Sequence, residues 1–87
     1  MVKKMVTIKN PTGLHARPAT LLVKEASKYK SHISLIHGSN EANAKSVMGI
    51  MSMGLTKGSE VEIKVEGIDE AEALNGIVAL FESNFGE

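Results

Sequence analysis

Residues 60–66 alternate without a break: Val61, Ile63 and Val65 fall on one side of an extended chain, and Glu60, Glu62, Lys64 and Glu66 on the other. Successive side chains of a strand point to opposite faces, so this segment has one dry face and one wet face. A sheet made of such strands cannot be covered on both sides. That argues against the doubly covered parallel sheets and for antiparallel strands with helices on one face only.

The rest of the chain follows this pattern. Val2 to Ile8 reads as a strand with Lys4, Val6 and Ile8 on one face and Lys3, Met5 and Thr7 on the other, imperfect only at Lys4. His32 to His37 is a second strand, Ile33 and Leu35 sharing a face, and Gly38-Ser39-Asn40 turns into a short third, Glu41 to Ala44. Between them the period changes. From Ala16 to Tyr29, Ala19, Leu22, Val23 and Ala26 recur at helical spacing, with Pro18 in the first turn where a missing N–H costs little. Ser46 is placed to cap a short helix ending near Met53, with Gly54 as its stop. Asp69 and Glu72 form a capping box for a last helix, whose stripe is Leu74, Ile77, Val78, Phe81 and Phe85. The order strand, helix, strand, strand, helix, strand, helix predicts an α+β chain: an open-faced two-layer sandwich, a four-stranded antiparallel sheet with three helices on one face, in a single domain over residues 1–87.

Composition narrows the function. Ten basic and ten acidic residues leave no net charge, so nothing draws the chain to nucleic acid or to an anionic membrane. No window approaches the roughly 20 apolar residues of a membrane span, and the apolar part of Met1–Val6 is too short for a signal peptide. The expectation is a cytoplasmic protein with no membrane insertion. Cysteine is absent, which removes disulfides and thiolate metal sites. His32 and His37 would face opposite sides of one strand, and the glutamates are interleaved with lysine, so no metal site and no cofactor is expected.

One constellation carries chemistry. His15 stands where the first helix begins, with Arg17 two residues on. The first amides of a helix lack intrahelical partners and the macrodipole is positive there, so the amides of Ala16 and Arg17 form an anion site. Pro18 contributes no N–H, and the Arg17 guanidinium offsets that with donors matched to phosphate oxygens. A neutral imidazole at this position can attack phosphorus and then have its phosphate held. The apparatus of a complete enzyme is missing: there is no Walker-type loop, and Asp69 is the only aspartate. This is the equipment of a carrier, which takes phosphate from one partner and gives it to another.

The segment Gly13-Leu14-His15-Ala16-Arg17-Pro18-Ala19 resembles the active-site signature of the histidine-containing phosphocarrier (HPr) family of the bacterial phosphoenolpyruvate-dependent sugar phosphotransferase system, and the likeness extends over essentially the whole chain. It implies the four-stranded sheet under three helices. It also implies that His15 receives phosphate on Nδ1 from Enzyme I and passes it to the IIA components of sugar transporters, with Arg17 touching the phosphate. The stretch Asn43 to Gly54 resembles the Gram-positive branch, which implies phosphorylation of Ser46 by the HPr kinase/phosphorylase and a corepressor role with a catabolite control regulator. Capping alone explains a serine there, and a phosphate on it would meet the same helix mouth favourably. Met48 and Met51 share a helix face, with Val47 and Ile50 supplying its inward side. Together with Leu14, Ala16, Ala19 and Thr20, they are expected to form an apolar docking rim, with Val47 and Lys24 among the partner contacts. A monomer is expected. The competing readings are a regulatory corepressor domain acting mainly through Ser46, which the presence of His15 disfavours, and a nucleic-acid or ligand module, which neutral charge and 3% aromatics disfavour.

Overall fold

The computed structural model describes residues 1–87. Four antiparallel strands, β1 (Val2–Thr7), β2 (His32–His37), β3 (Asn40–Asn43) and β4 (Glu60–Glu66), form one sheet in the order β1-β4-β2-β3. The last strand therefore enters between the first two. The register lines up the dry faces in rows: Val6 lies opposite Val61, Ile63 between Lys4 and Leu35, and Val65 between Val2 and Ile33. Outward rows such as Met5, Glu62, Ile36 and Glu41 stay open.

Helices α1 (Ala16–Ala26), α2 (Val47–Ser52) and α3 (Glu70–Glu82) join these strands into an open-faced sandwich. Leu22 and Ala26 of α1, Ile50 of α2, and Ala73, Ile77, Val78 and Phe81 of α3 meet Ile33, Leu35, Val61, Ile63 and Val65 in one core. Each fully buried aliphatic side chain contributes about 1.5–3 kcal/mol, and these residues are what hold a cysteine-free chain together.

The structure departs from the sequence expectation in several places. The first helix stops at Ala26 rather than Tyr29: Lys28 and Tyr29 donate to Glu25 and Ala26 carbonyls in tighter turns, and the Lys45 ammonium closes the end on the Tyr29 carbonyl at 2.8 Å. The Asp69–Glu72 capping box does not form, because the Asp69 carboxylate is spent across the fold on the backbone N–H groups of Lys30 and Ser31 and on the Ser31 hydroxyl. Phe85 is buried as expected but lies beyond α3, in a 3-10 turn (Asn84–Gly86). Asn84 and Phe85 take positive φ (56° and 54°), which folds the chain back so that Phe85 meets Phe81 edge-on at 4.9 Å. No helix is long and apolar enough to cross a membrane.

Candidate functional site

The site begins at the turn after β1. Asn10 is 1% exposed, and its amide nitrogen donates to the Gly13 carbonyl at 2.7 Å, while Gly13 N–H returns to the Asn10 carbonyl at 3.1 Å. Leu14 N–H then donates to the Leu55 carbonyl at 3.1 Å, tying the turn to the loop between α2 and β4. Gly13 makes this approach possible. Its φ is +65°, and a Cβ there would sit 2.6 Å from the Leu55 carbonyl oxygen. Leu14 is drawn under the turn into the core at 3% exposure.

The chain emerges at His15, the N-cap of α1, in extended backbone (φ −78°, ψ −167°). Its carbonyl accepts the first intrahelical bond, from Ala19 N–H at 2.9 Å, but its ring makes no capping bond and stands exposed. His15 is therefore held by its backbone with the ring left free. Arg17 is exposed one step into the helix, and neither of the two ion pairs in the molecule involves it. An open hollow lined by Ala16, Arg17, Thr20, Leu21 and Lys24 runs along α1 from this point, with Thr20 tied back to the Ala16 carbonyl at 2.7 Å. No group of three or more His, Asp or Glu side chains converges in a way that would hold a metal ion.

Ser46 is the N-cap of α2, and its hydroxyl oxygen accepts Gly49 N–H at 3.1 Å. The helices α1 and α2 pack against each other, so the two caps belong to one helical layer. On α2, Ile50 is fully buried, Val47 is half-buried against the core, and Met48 and Met51 are 79% and 41% exposed. Two residues expected in the docking rim are not at the surface. Leu14 and Ala19 are 3% and 0% exposed, since the turn at Gly13 and the inward face of α1 carry both into the core. Of the expected rim, the residues left accessible are Ala16, Thr20 and Lys24, which with Arg17 line the hollow along α1, and Met48 and Met51 on the neighbouring helix.

Sequence reasoning passed over Asn10, Thr12 and Glu87. The run Asn10-Pro11-Thr12-Gly13 signalled a turn, but nothing local marked its asparagine as buried, and Glu87 is distant in the chain. In the fold, Glu87 accepts from the Thr12 hydroxyl at 2.7 Å and from the Asn10 amide at 3.3 Å. The Thr12 hydroxyl first, then the Asn10 amide and the nearby Arg17 charge, hold the Glu87 carboxyl below its ordinary range against the opposing effect of burial.

Residues 2–83 match the family model described as the PTS HPr component phosphorylation site. The chain belongs to the HPr family. A relative from Treponema pallidum, described as phosphocarrier protein HPr, is 48% identical over all of this chain and 99% of its own length. A crystal structure of HPr from Thermoanaerobacter tengcongensis superimposes with a TM-score of 0.97 at 50% identity, covering all of this chain and 98% of that one. A second structure from that organism, described as an HPr dimer, matches over the full length of both chains with a TM-score of 0.80 at 50% identity. Family membership makes this chain a phosphocarrier of the phosphotransferase system.

Proposed function

We propose that this chain accepts phosphate on His15 from phosphorylated Enzyme I and passes it to the IIA components of sugar transporters, in the cytoplasm. The observation that carries this reading is an exposed imidazole at the mouth of α1, unengaged as a cap, beside an arginine with no ion-pair partner. The ring nitrogen Nδ1 attacks phosphorus in line. A P–N bond forms, the bond from phosphorus to the donor breaks, and its electron pair leaves with the donor. Charge on the phosphoryl oxygens is met by the Arg17 guanidinium and by the amides of Ala16 and Arg17, which precede the first intrahelical donor. Transfer to the next partner is the same displacement with the ring as leaving group. A single copy carries every residue involved, so the working unit is a monomer.

The test is incubation with Enzyme I and labelled phosphoenolpyruvate. Acid-labile label is expected on the wild type and absent from His15→Ala, and a wild type that takes up no label would overturn the carrier role.

Ser46 is the second phosphorylation site in this reading, modified by the HPr kinase/phosphorylase and presented to a catabolite control regulator. Its support is position: a phosphate on a helix N-cap is met by the first amides and the dipole. It would also add negative charge beside the Met48–Met51 surface, hindering partners that present acidic groups to Lys24 and Arg17. Met48→Glu and Ser46→Asp are therefore both expected to raise the KM for Enzyme I while the circular dichroism spectrum stays that of the wild type. An unchanged KM in both would remove α2 from the docking surface.

A further inference from the structure

The Glu87 side chain, from beyond α3, reaches the turn that carries His15. Three features place it there. Positive φ at Asn84, Phe85 and Gly86 curls the chain back toward β1. Phe85, 4% exposed and packed on Phe81, anchors the curl. The carboxylate then takes one donor with each oxygen: the Thr12 hydroxyl at 2.7 Å on Oε2, and the Asn10 amide at 3.3 Å on Oε1. Asn10 is the residue that closes the turn onto Gly13, and its orientation matters. With its nitrogen toward the Gly13 carbonyl and the Glu87 carboxylate, both contacts are donor to acceptor; reversed, both would be acceptor to acceptor.

We propose that Glu87 is a positioning residue for phosphoryl transfer at His15, clamping Asn10 and Thr12 so that the turn presents the imidazole in one orientation. The clamp acts through two intermediaries. Glu87 fixes which way the Asn10 amide points, Asn10 fixes the Gly13 carbonyl, and the Gly13–Leu14 backbone, held to Leu55, sets where His15 leaves the turn. Misplacement of a nucleophile by a fraction of an ångström is felt in the transfer step more than in docking, because in-line attack depends on angle while docking depends on surface. The energetic scale is that of one or two exposed, charge-assisted hydrogen bonds, enough to alter the turn without unfolding the domain.

This inference rests on the carrier reading, and the experiment separates the two. Enzyme I-dependent phosphorylation is measured for wild type, Glu87→Gln, Glu87→Ala, Thr12→Val and the double variant Thr12→Val/Glu87→Ala, alongside amide hydrogen exchange in the unphosphorylated proteins. Glu87→Ala is expected to lower kcat about 3–10-fold at unchanged KM. Glu87→Gln should fall between it and the wild type, because glutamine keeps an acceptor for Thr12 but turns a donor toward Asn10. The double variant should be slowed less than the product of the single effects, since both remove the same clamp. Exchange at the Gly13 and Leu14 amides should quicken while that of β4 does not. An unaltered kcat in Glu87→Ala would overturn the proposal, as would a loss of rate accompanied by faster exchange in β4, which marks general loosening. If the wild type accepts no phosphate the carrier reading fails on its own, and exchange at Gly13 and Leu14 still decides whether the clamp holds the turn.

Discussion

Replacing Gly13 with alanine is expected to destabilise the protein by roughly 2–4 kcal/mol and to depress phosphoryl acceptance beyond what the lost folded fraction explains. Two costs act at one residue. At φ +65° a side chain crowds its own backbone, a penalty glycine does not have. The added Cβ would also lie 2.6 Å from the Leu55 carbonyl oxygen and 2.8 Å from the Thr56 Cα, both main-chain atoms that cannot rotate aside. Relief requires the turn to part from the α2–β4 loop. That breaks the Leu14 N–H to Leu55 bond, loosens Leu14 from the core and shifts the point at which His15 emerges. Urea unfolding reports the first effect, and kcat measured on the folded fraction reports the second. Wild-type values for both would mean that this close approach does not govern the site.

How far the chain could be read before folding depends on the range of each interaction. The period-two pattern of residues 60–66 located β4 with its boundaries, because alternation needs only adjacent residues, and the wet faces of the other strands implied an open sheet. The Ser46 cap and the Gly54 stop of α2 were legible for the same reason: both act within one helical turn. His15 was legible as an N-cap, since turn, cap and helix follow one another in the chain. What escaped were contacts set by the tertiary fold. Asp69 has the local sequence of a capping box, yet Lys30 and Ser31, just ahead of β2, lie beside the end of β4 and take its carboxylate. Leu14 and Ala19 sit in a motif that suggests surface, and only the close approach at Gly13 and the packing of α1 show them to be core. The Glu87 clamp joins residues 77 apart in the chain, and no local signal announces it.

Asp69 supplies the second large effect, on stability and its pH dependence. Asp69→Asn is expected to lower the melting temperature by several degrees at neutral pH and to flatten the loss of stability in acid. The wild-type carboxylate takes the Ser31 hydroxyl and the N–H groups of Lys30 and Ser31, joining the end of α1 to the loop before α3. The two segments already touch: a Cβ on Gly67 would lie 2.6 Å from the Ser31 Cα. Asparagine keeps an oxygen for one side of this cluster and turns an N–H₂ toward the donors on the other, leaving at least one main-chain N–H facing another donor. The Ser31 hydroxyl first, then the Lys30 N–H, hold the Asp69 carboxyl below its ordinary value of 3.8. A group whose folded pKa is depressed binds its proton more weakly in the folded state, so its stabilisation is whole above the ordinary pKa and is lost as pH falls through the folded one. Glu25, Glu70 and Glu87 are lowered too, by Lys28, by the Met1 amino group and by Thr12, so the wild type should weaken across the whole acid limb below about pH 4. Asp69→Asn lacks one of these four contributions. Its melting curve should lie below that of the wild type at neutral pH and converge on it in strong acid, where the wild-type carboxyl is itself protonated. Thermal melts followed by circular dichroism across that range decide the matter: a constant offset between the two proteins at every pH would mean that charge on Asp69 adds nothing to the join between α1 and α3.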